Sequence, residues 1–463
     1  MGDTQPTQLR SGNVSPLVQR WGETLTELRP ASGEPGWLAE IRTRAADAFR
    51  RNGLPGNKDE AWKYTSLRRL EELDPDLGGT DPASAGHDAG PPLPGLAGFG
   101  FRWSGGRIDF RDTPAPEGVT IEHVEDALAG GNEPVKDQLK SLFESIEFGS
   151  RARAFEALNT ALPGPGVVIH VAAGVDAGRC VAEWDLPLAA ESGMHNPRLY
   201  VVLEAGARLE LIEQHGGEPA RSGSAHRDVA QGLNLLFRAE LSEAAVLQHV
   251  RIQNEDNDGI VLTFAGVRQA ASSRYRFSGF DTGGGLVRHA IECFLQGPGA
   301  QAEVQGAFVT DGERHVDYHV CIDHQAADCS SDQFFRGVLG GHSRGVFNGK
   351  AVIRAGADGA SVRQSNANLL LSREAEIDTK PELEIHADEV EASHGATVGQ
   401  LDENAVFYLR SRGLSEAAAR RILTTAFCRA VADRLDDPGM SEAVAGLLER
   451  AMPREMPETA PEK

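Results

Sequence analysis

The residues most able to do chemistry are concentrated in one segment, RHVDYHVCIDHQAADCSSDQFFRG, at positions 314–337. Its imidazoles and thiols are side chains that zinc and iron prefer as ligands. If the segment is a strand, alternate residues share a face, so His324 lies opposite the other histidines and the ligands do not all converge. The paired spacings of zinc sites, such as CxxC and HExxH, are also missing. We therefore expect mainly structural roles, with a stand-alone metal site as the alternative, for His315, His319, Cys321, His324 and Cys329.

The same segment contains carboxylates that a hydrolase could use. Glycoside hydrolases need a pair of carboxyl side chains, one acting as acid and the other as base or nucleophile. The sequence does not place the available carboxylates on one surface, so a hydrolase built on a β-helix is a second alternative. These carboxylates are Asp317, Asp323, Asp328 and Asp332.

Two further catalytic motifs are incomplete. The run GGHSRGVFNGK has Gly345, Gly349 and Lys350, but neither the spacing of GxxxxGK[ST] nor its final Ser or Thr. We therefore do not expect this chain to hydrolyse ATP. The run GHSRG matches GxSxG, but a strand pattern follows it instead of the helix that a nucleophile elbow requires.

A single histidine, His394, lies in EASHGATVGQLDENAVFYLRSRGL, where a strand pattern changes to a helical one. A lone histidine in a sheet is more often a core or surface residue than a ligand. Its pattern alone therefore does not assign it a function.

Composition and charge exclude several classes of partner. The 463 residues include 46 Lys and Arg against 68 Asp and Glu, a net charge of −22, which disfavours binding to nucleic acid or anionic lipid. The 5 cysteines are scattered without a framework spacing, as in a reducing compartment. No apolar segment resembles an export signal or a membrane span. We expect a cytoplasmic protein that binds neither nucleic acid nor membrane.

The elements that must position these residues are mostly short strands. From position 166 onward, apolar runs of four to eight residues alternate with glycine-rich turns, and no amphipathic helix separates them. A body of this length favours a β-solenoid, in which each coil buries its face on the next. Gly-Ala or Ala-Gly pairs suit the tight corners, as at 173–174, 206–207, 299–300 and 356–357.

Helical patterns flank this body, which gives the expected domain bounds. Residues 1–165 form an N-terminal helical region with a Pro/Gly-rich linker near 74–98, and residues 166–402 form the β-helix core. Residues 403–452 form a C-terminal helical domain, and residues 453–463 a disordered tail. In the C-terminal domain Ser415 is the expected N-cap of a helix with one apolar stripe, Ile422, Leu423, Ala426, Phe427, Ala430, Val431 and Leu435.

Three blocks of this sequence, at residues 59–70, 323–357 and 364–414, resemble the SufD branch of the SufB/SufD family, scaffold subunits of the SUF iron–sulfur cluster assembly system. The first contains DEAWKYTSLRRL and the last contains SHGATVG. The resemblance covers roughly residues 38–448 in order. It implies a right-handed parallel β-helix between N-terminal and C-terminal helical regions.

The resemblance also implies partners and a non-enzymatic role. Members of this family pair with SufB through the last β-helix coils and bind the SufC ATPase through the C-terminal helices. It implies a transient iron–sulfur cluster shared with SufB and no permanently bound cofactor. On this chain the SufC-docking helix, including its packing face, would contain Ser415, Ile422, Leu423, Ala426, Phe427, Ala430 and Val431.

One departure from the family pattern affects the cluster site. Many relatives have a cysteine two residues before the histidine of the SHGAT motif, whereas this chain has Ala392. His394 is then the main candidate iron ligand, and Glu391 is a weaker one. The thiolate would have to come from the partner.

Overall fold

A computed structural model gives the fold, which is described for residues 15–28, 33–77, 96–130, 132–186, 192–216, 230–255 and 258–453. Short 3-10 helices lie at Glu60–Trp62 and Arg151–Arg153. The α-helices are α1 Pro16–Glu27, α2 Gly36–Asn52, α3 Arg68–Leu73, α4 Val124–Ala129, α5 Glu133–Glu144, α6 Ala154–Ala161, α7 Glu403–Ser411, α8 Glu416–Ala432 and α9 Pro438–Ala451.

The described strands are β1 Asp76–Leu77, β2 Phe99–Ser104, β3 Arg107–Phe110, β4 Val119–His123, β5 Gly166–Val171, β6 Asp176–Asp185, β7 Gly193–His195, β8 Arg198–Leu203, β9 Arg208–His215, β10 Gly232–Leu241, β11 Val246–Gln253, β12 Ile260–Gln269, β13 Arg274–Asp281, β14 Leu286–Leu295, β15 Gln301–Thr310, β16 His315–His324, β17 Ser330–Leu339, β18 Arg344–Ile353, β19 Ala360–Leu370, β20 Glu376–Ile385 and β21 Val390–Gly399. From β8 onward, successive strands of the chain alternate between two sheets, so that each pair of strands makes one coil.

These strands form two sheets around a shared lumen, which gives a mainly β protein with a β-solenoid of about seven turns. Sheet A runs in the order β20-β18-β16-β14-β12-β10-β8-β5-β4, and sheet B in the order β21-β19-β17-β15-β13-β11-β9-β6-β2-β3. Pairing along the solenoid is parallel and in register. The solenoid expected from the strand pattern is confirmed.

Glycines occupy corners of the coil, as the Gly-Ala pairs predicted. Gly174, Gly206, Gly299 and Gly356 all have φ between 68° and 84°, the left-handed region that a side chain disfavours. The turns they make keep the next strand in register with the coil below.

The lumen has an apolar part and a buried polar part, and helices cover the outer faces. One large apolar cluster is contributed by both sheets, and beside it lie fully buried polar and charged side chains that include Glu213, His249 and Arg251. Helices α1, α2 and α6 pack on the outer face of sheet A, and α8 and α9 pack on the outer face of sheet B. The solenoid is therefore enclosed on both sides by elements from the two ends of the chain.

The structure adds elements that the sequence pattern did not indicate. The expected N-terminal helical region also contributes β2, β3 and β4 to the two sheets. The β2–β3 pair and the β4–β5 pair are antiparallel. Most of the predicted linker, at 78–95, and of the predicted tail, at 454–463, lies outside the described residues.

Candidate functional site

The solenoid ends differently at its two ends. At the N-terminal end the outermost strands are β3 and β4, which have four and five residues and run antiparallel to their neighbours. At the other end the outermost strands are β20 and β21, each of ten residues and parallel to its neighbour. Short edge strands limit pairing with another chain, whereas long regular ones favour it. The C-terminal end therefore has the geometry of a strand-pairing surface.

This open end of the solenoid, defined as β20 and β21, exposes apolar side chains. Ile385 is 43% exposed and Val398 is 47% exposed. Leu383 and Val390 are only partly buried, against the last core cluster of the lumen. A solenoid needs a polar cap at a free end to remain soluble, because each coil buries its face on the next. In the described residues no such cap covers β21, which pairs with β19 alone.

His394 lies in a lumen-facing column of this open end. Pairing aligns Gln333 with Gln364 and Gln364 with His394 on successive strands of sheet B. Both glutamines are buried and donate their amide N–H to backbone carbonyls of β18, at 3.2 Å each. His394 is exposed because β21 is the last strand of sheet B among the described residues. The imidazole thus stands at the mouth of the lumen.

The weaker candidate, Glu391, points elsewhere. Glu391 pairs with Ser361, and Ser361 alternates with the lumen-facing residues of β19. Successive side chains of a strand point to opposite faces. Glu391 and His394 therefore do not converge within this chain, whereas Ala392 shares the face of His394.

The segment rich in histidine and cysteine is divided between the two faces of β16, as the alternation predicted. On the outer face, Asp317 forms an ion pair with Arg288, and it also accepts a hydrogen bond from Thr65 Oγ1. The Arg288 guanidinium stacks on Trp62, 4.0 Å from the ring centroid. The motif DEAWKYTSLRRL, which contains Trp62 and Thr65, thus anchors the N-terminal region to sheet A.

Electrostatics at this anchor agree with a structural role. Burial, the largest single influence, raises the pKa of Asp317, but Arg288 and His319 together outweigh it, so this pKa lies below its usual range. His315 Nε2 donates to Thr65 Oγ1 at 3.2 Å, because the Thr65 hydroxyl gives its only hydrogen to Asp317. These groups are already engaged by one another.

The remaining members of the segment are also separated. His319 and Cys321 line a cavity of about 340 Å³ under the 3-10 segments, and burial raises the pKa of the Cys321 thiol to about 12. His324 faces the lumen and contacts Ser331 Oγ at 2.8 Å, and Cys329 donates to the Gly297 carbonyl. No group of three or more His, Cys, Asp or Glu in the described part of the chain is arranged to hold a metal ion.

Three carboxylates of the hydrolase alternative are divided between the two sheets and are paired with arginines. Asp317 is on the outer face of sheet A. Asp323 is also in β16 and pairs with Arg354, whereas Asp332 is on sheet B and pairs with Arg434 of the C-terminal region, at 2.5 Å. A pair acting on one sugar must flank one bond. This set does not form such a pair.

A second exposed apolar surface, the α7–α8 patch, lies next in the chain. It consists of Phe407, Tyr408, Leu414 and Ile422, which are 70%, 57%, 36% and 47% exposed. Helix α7 is tied to α8 by Arg420, which binds Glu403 at 2.9 Å and Glu416 at 3.1 Å. Exposed apolar side chains of this size on neighbouring elements are typical of interaction surfaces.

The predicted stripe on α8 is only partly correct. The N-cap prediction is confirmed, since Ser415 Oγ accepts from the Ala418 amide. The apolar residues, however, do not form one buried face. Val431 is buried against sheet B, Leu423, Phe427 and Leu435 are half-buried, and Ile422, Ala426 and Ala430 are exposed. The helix thus has an inward face through Val431 and an outward face through Ile422.

Phe427 belongs to the inward side of this helix. Its ring lies 5.7 Å from the Arg336 guanidinium of sheet B, which also stacks on Phe334 at 3.9 Å. The aromatic pair Phe407 and Tyr408 was not singled out from the sequence. Two adjacent aromatic residues in a short helix with little buried surface were the available signal.

Comparison with known proteins identifies the family. The family model described as "SUF system FeS cluster assembly, SufBD core domain" matches residues 187–427, just over half of the chain. This chain belongs to the SufBD family. The match includes most of the solenoid, its open end and the α7–α8 patch. No described helix is long and apolar enough to cross a membrane.

Named SufBD relatives match over most of the chain. A SufBD family protein of Synechocystis is 28% identical over 423 residues, 89% of this chain and 91% of its own length. The iron–sulfur cluster assembly protein SufD of Escherichia coli is 27% identical over 412 residues, 87% and 90% of the two chains. A chloroplastic protein of Arabidopsis thaliana, ABCI7, is 30% identical over 236 residues, 50% and 48%. SufBD membership supports a role in iron–sulfur cluster assembly.

Proposed function

We propose that this chain is a non-enzymatic scaffold subunit of cytoplasmic iron–sulfur cluster assembly. It pairs with SufB through the open end of its solenoid, and it binds the SufC ATPase through the α7–α8 patch. A nascent cluster, the cargo of the complex, is held transiently at the SufB interface. Family membership and the division of exposed apolar surface between two sites support this proposal.

The observation that carries the proposal is the open end of the solenoid. Ten-residue parallel edge strands with Ile385 and Val398 exposed leave backbone hydrogen-bonding groups and apolar surface without a partner among the residues that the structure describes. A partner whose own strands pair with β20 and β21 would form hydrogen bonds with these backbone groups and bury this apolar surface. We propose that SufB, a related chain, is this partner.

The chemistry of the open end fits a shared site. His394 offers an imidazole, a borderline ligand suited to iron. Ala392 beside it offers none, and all five cysteines lie elsewhere, four of them buried. This chain therefore contributes a nitrogen ligand, and SufB contributes the thiolate.

Replacing His394 with alanine should weaken iron binding by the assembled complex. We expect the affinity for Fe(II), measured anaerobically by competition with a chelator, to fall at least tenfold, because one ligand is lost. Assembly with SufB and SufC should be largely unchanged, since His394→Ala introduces no charge and leaves the exposed apolar residues Ile385 and Val398 in place. His386→Ala, at another histidine just after β20, is the matched control and should bind iron normally. Equal affinity for His394→Ala and wild type would reject the ligand role.

A further inference from the structure

The lumen next to His394 contains polar side chains, and these differ in whether all of their hydrogen-bonding atoms have partners. Asn366 Oδ1 accepts hydrogen bonds from Thr379 Oγ1 at 2.9 Å and from Asn368 Nδ2 at 2.6 Å. Asn368 also donates to the Thr397 carbonyl at 3.4 Å. The side-chain oxygens of Asn366 and Asn368 therefore already accept hydrogen bonds within this chain.

Gln364 is different because one half of its amide is unused. Its Nε2 donates to the Gly349 carbonyl at 3.2 Å, which fixes the side chain across the lumen. Its Oε1 has no hydrogen-bond partner among the described residues, although the residue is only 4% exposed. A buried acceptor without a donor is destabilising, because it has lost its hydrogen bonds to water and gained none. Gln364 Oε1 can therefore accept a hydrogen bond from a side chain that changes its orientation when a partner binds.

The register places one donor within reach of this acceptor. Gln364 pairs with His394 on the adjacent strand, and adjacent strands lie about 4.8 Å apart. Both side chains occupy the same lumen-facing column. Gln333 Oε1 also lacks a partner, but Gln364 separates it from His394.

When a partner binds, the imidazole of His394 needs a hydrogen-bond acceptor. Once the open end is covered, the His394 imidazole is buried and its N–H needs an acceptor. A histidine that binds a metal through one nitrogen generally donates the other N–H to an oxygen, which fixes the ring and raises its basicity. We propose that Gln364 Oε1 is that acceptor, and that Gln364 is the positioning residue that orients His394 toward iron. This inference rests on the proposed function.

The test is a double-mutant cycle in the complex with SufB and SufC. Gln364→Met keeps the length of the side chain and removes the acceptor. We expect it to lower Fe(II) affinity about 10- to 100-fold, the usual effect of losing such a contact. Gln333→Met, one coil deeper in the same column, is the control and should change affinity less than twofold. In the His394→Ala background Gln364→Met should have no further effect.

Each outcome of the cycle is decisive. If His394→Ala weakens iron binding but Gln364→Met does not, Gln364 has no positioning role and the proposed function stands. If Gln364→Met acts equally with and without His394, or Gln333→Met acts as strongly, the effect is general packing and the inference is wrong. If His394→Ala itself has no effect, the ligand role in the proposed function fails first. Thermal unfolding of each purified variant confirms that the solenoid is intact.

Discussion

Replacing Val398 with aspartate is expected to abolish pairing with SufB. Val398 is 47% exposed in β21 and continues a lumen-facing column, so a partner that covers the open end buries it. Burying an unpaired carboxylate costs several kcal/mol, and a few kcal/mol at an interface centre is enough to lose a complex at micromolar concentration. Co-purification and gel filtration of the mixed chains measure the loss.

The adjacent residue provides the control for this substitution. Thr397 lies on the same strand, but its side chain points to the opposite face. Thr397→Asp adds the same charge to β21 outside the lumen, so SufB pairing should largely persist. SufC binding should persist in both variants. Normal SufB pairing by Val398→Asp would show that the open end is not the SufB interface.

The second large effect is expected on the α7–α8 patch. Phe407→Asp and Ile422→Asp should each lower SufC affinity by at least about 100-fold, because large apolar side chains at an interface centre dominate its free energy. Both residues are exposed, so neither change should unfold the solenoid. Isothermal titration with purified SufC measures the affinity, and circular dichroism checks the fold.

Two further variants separate docking from folding. Phe110→Asp, at an exposed aromatic of β3 remote in the fold from the patch, should leave SufC affinity unchanged. Phe427→Asp should lower stability, because Phe427 packs against Arg336 of sheet B. Wild-type affinity in both Phe407→Asp and Ile422→Asp would place the SufC site elsewhere.

Local sequence patterns predicted the parts of the fold that local physics determines. Alternation along β16 correctly placed His324 opposite His315, because strand geometry has a period of two. The Ser415 cap was predicted from residue type and position, and its hydrogen bond is present. Left-handed corners followed from Gly-Ala pairs. Each of these depends on a few neighbouring residues only.

Local sequence patterns could not predict contacts between residues far apart in the chain. Thr65 and Asp317 are 252 positions apart, and nothing near either residue indicates the other. The inward face of α8 depends on Arg336 and Phe334 in sheet B, so helical periodicity alone assigned Ile422 and Phe427 to one stripe. The column that joins Gln364 to His394 depends on the length of the intervening coil. These features needed the assembled solenoid.

The central claim is that SufB covers the open end of this solenoid. A photo-reactive amino acid at Ala396, an exposed position of β21 in the lumen-facing series of His394, tests it most directly. Irradiation of the complex with SufB and SufC should give a covalent product between this chain and SufB, identified by mass spectrometry. A product with SufC alone, or none although all three chains co-purify, would contradict the claim.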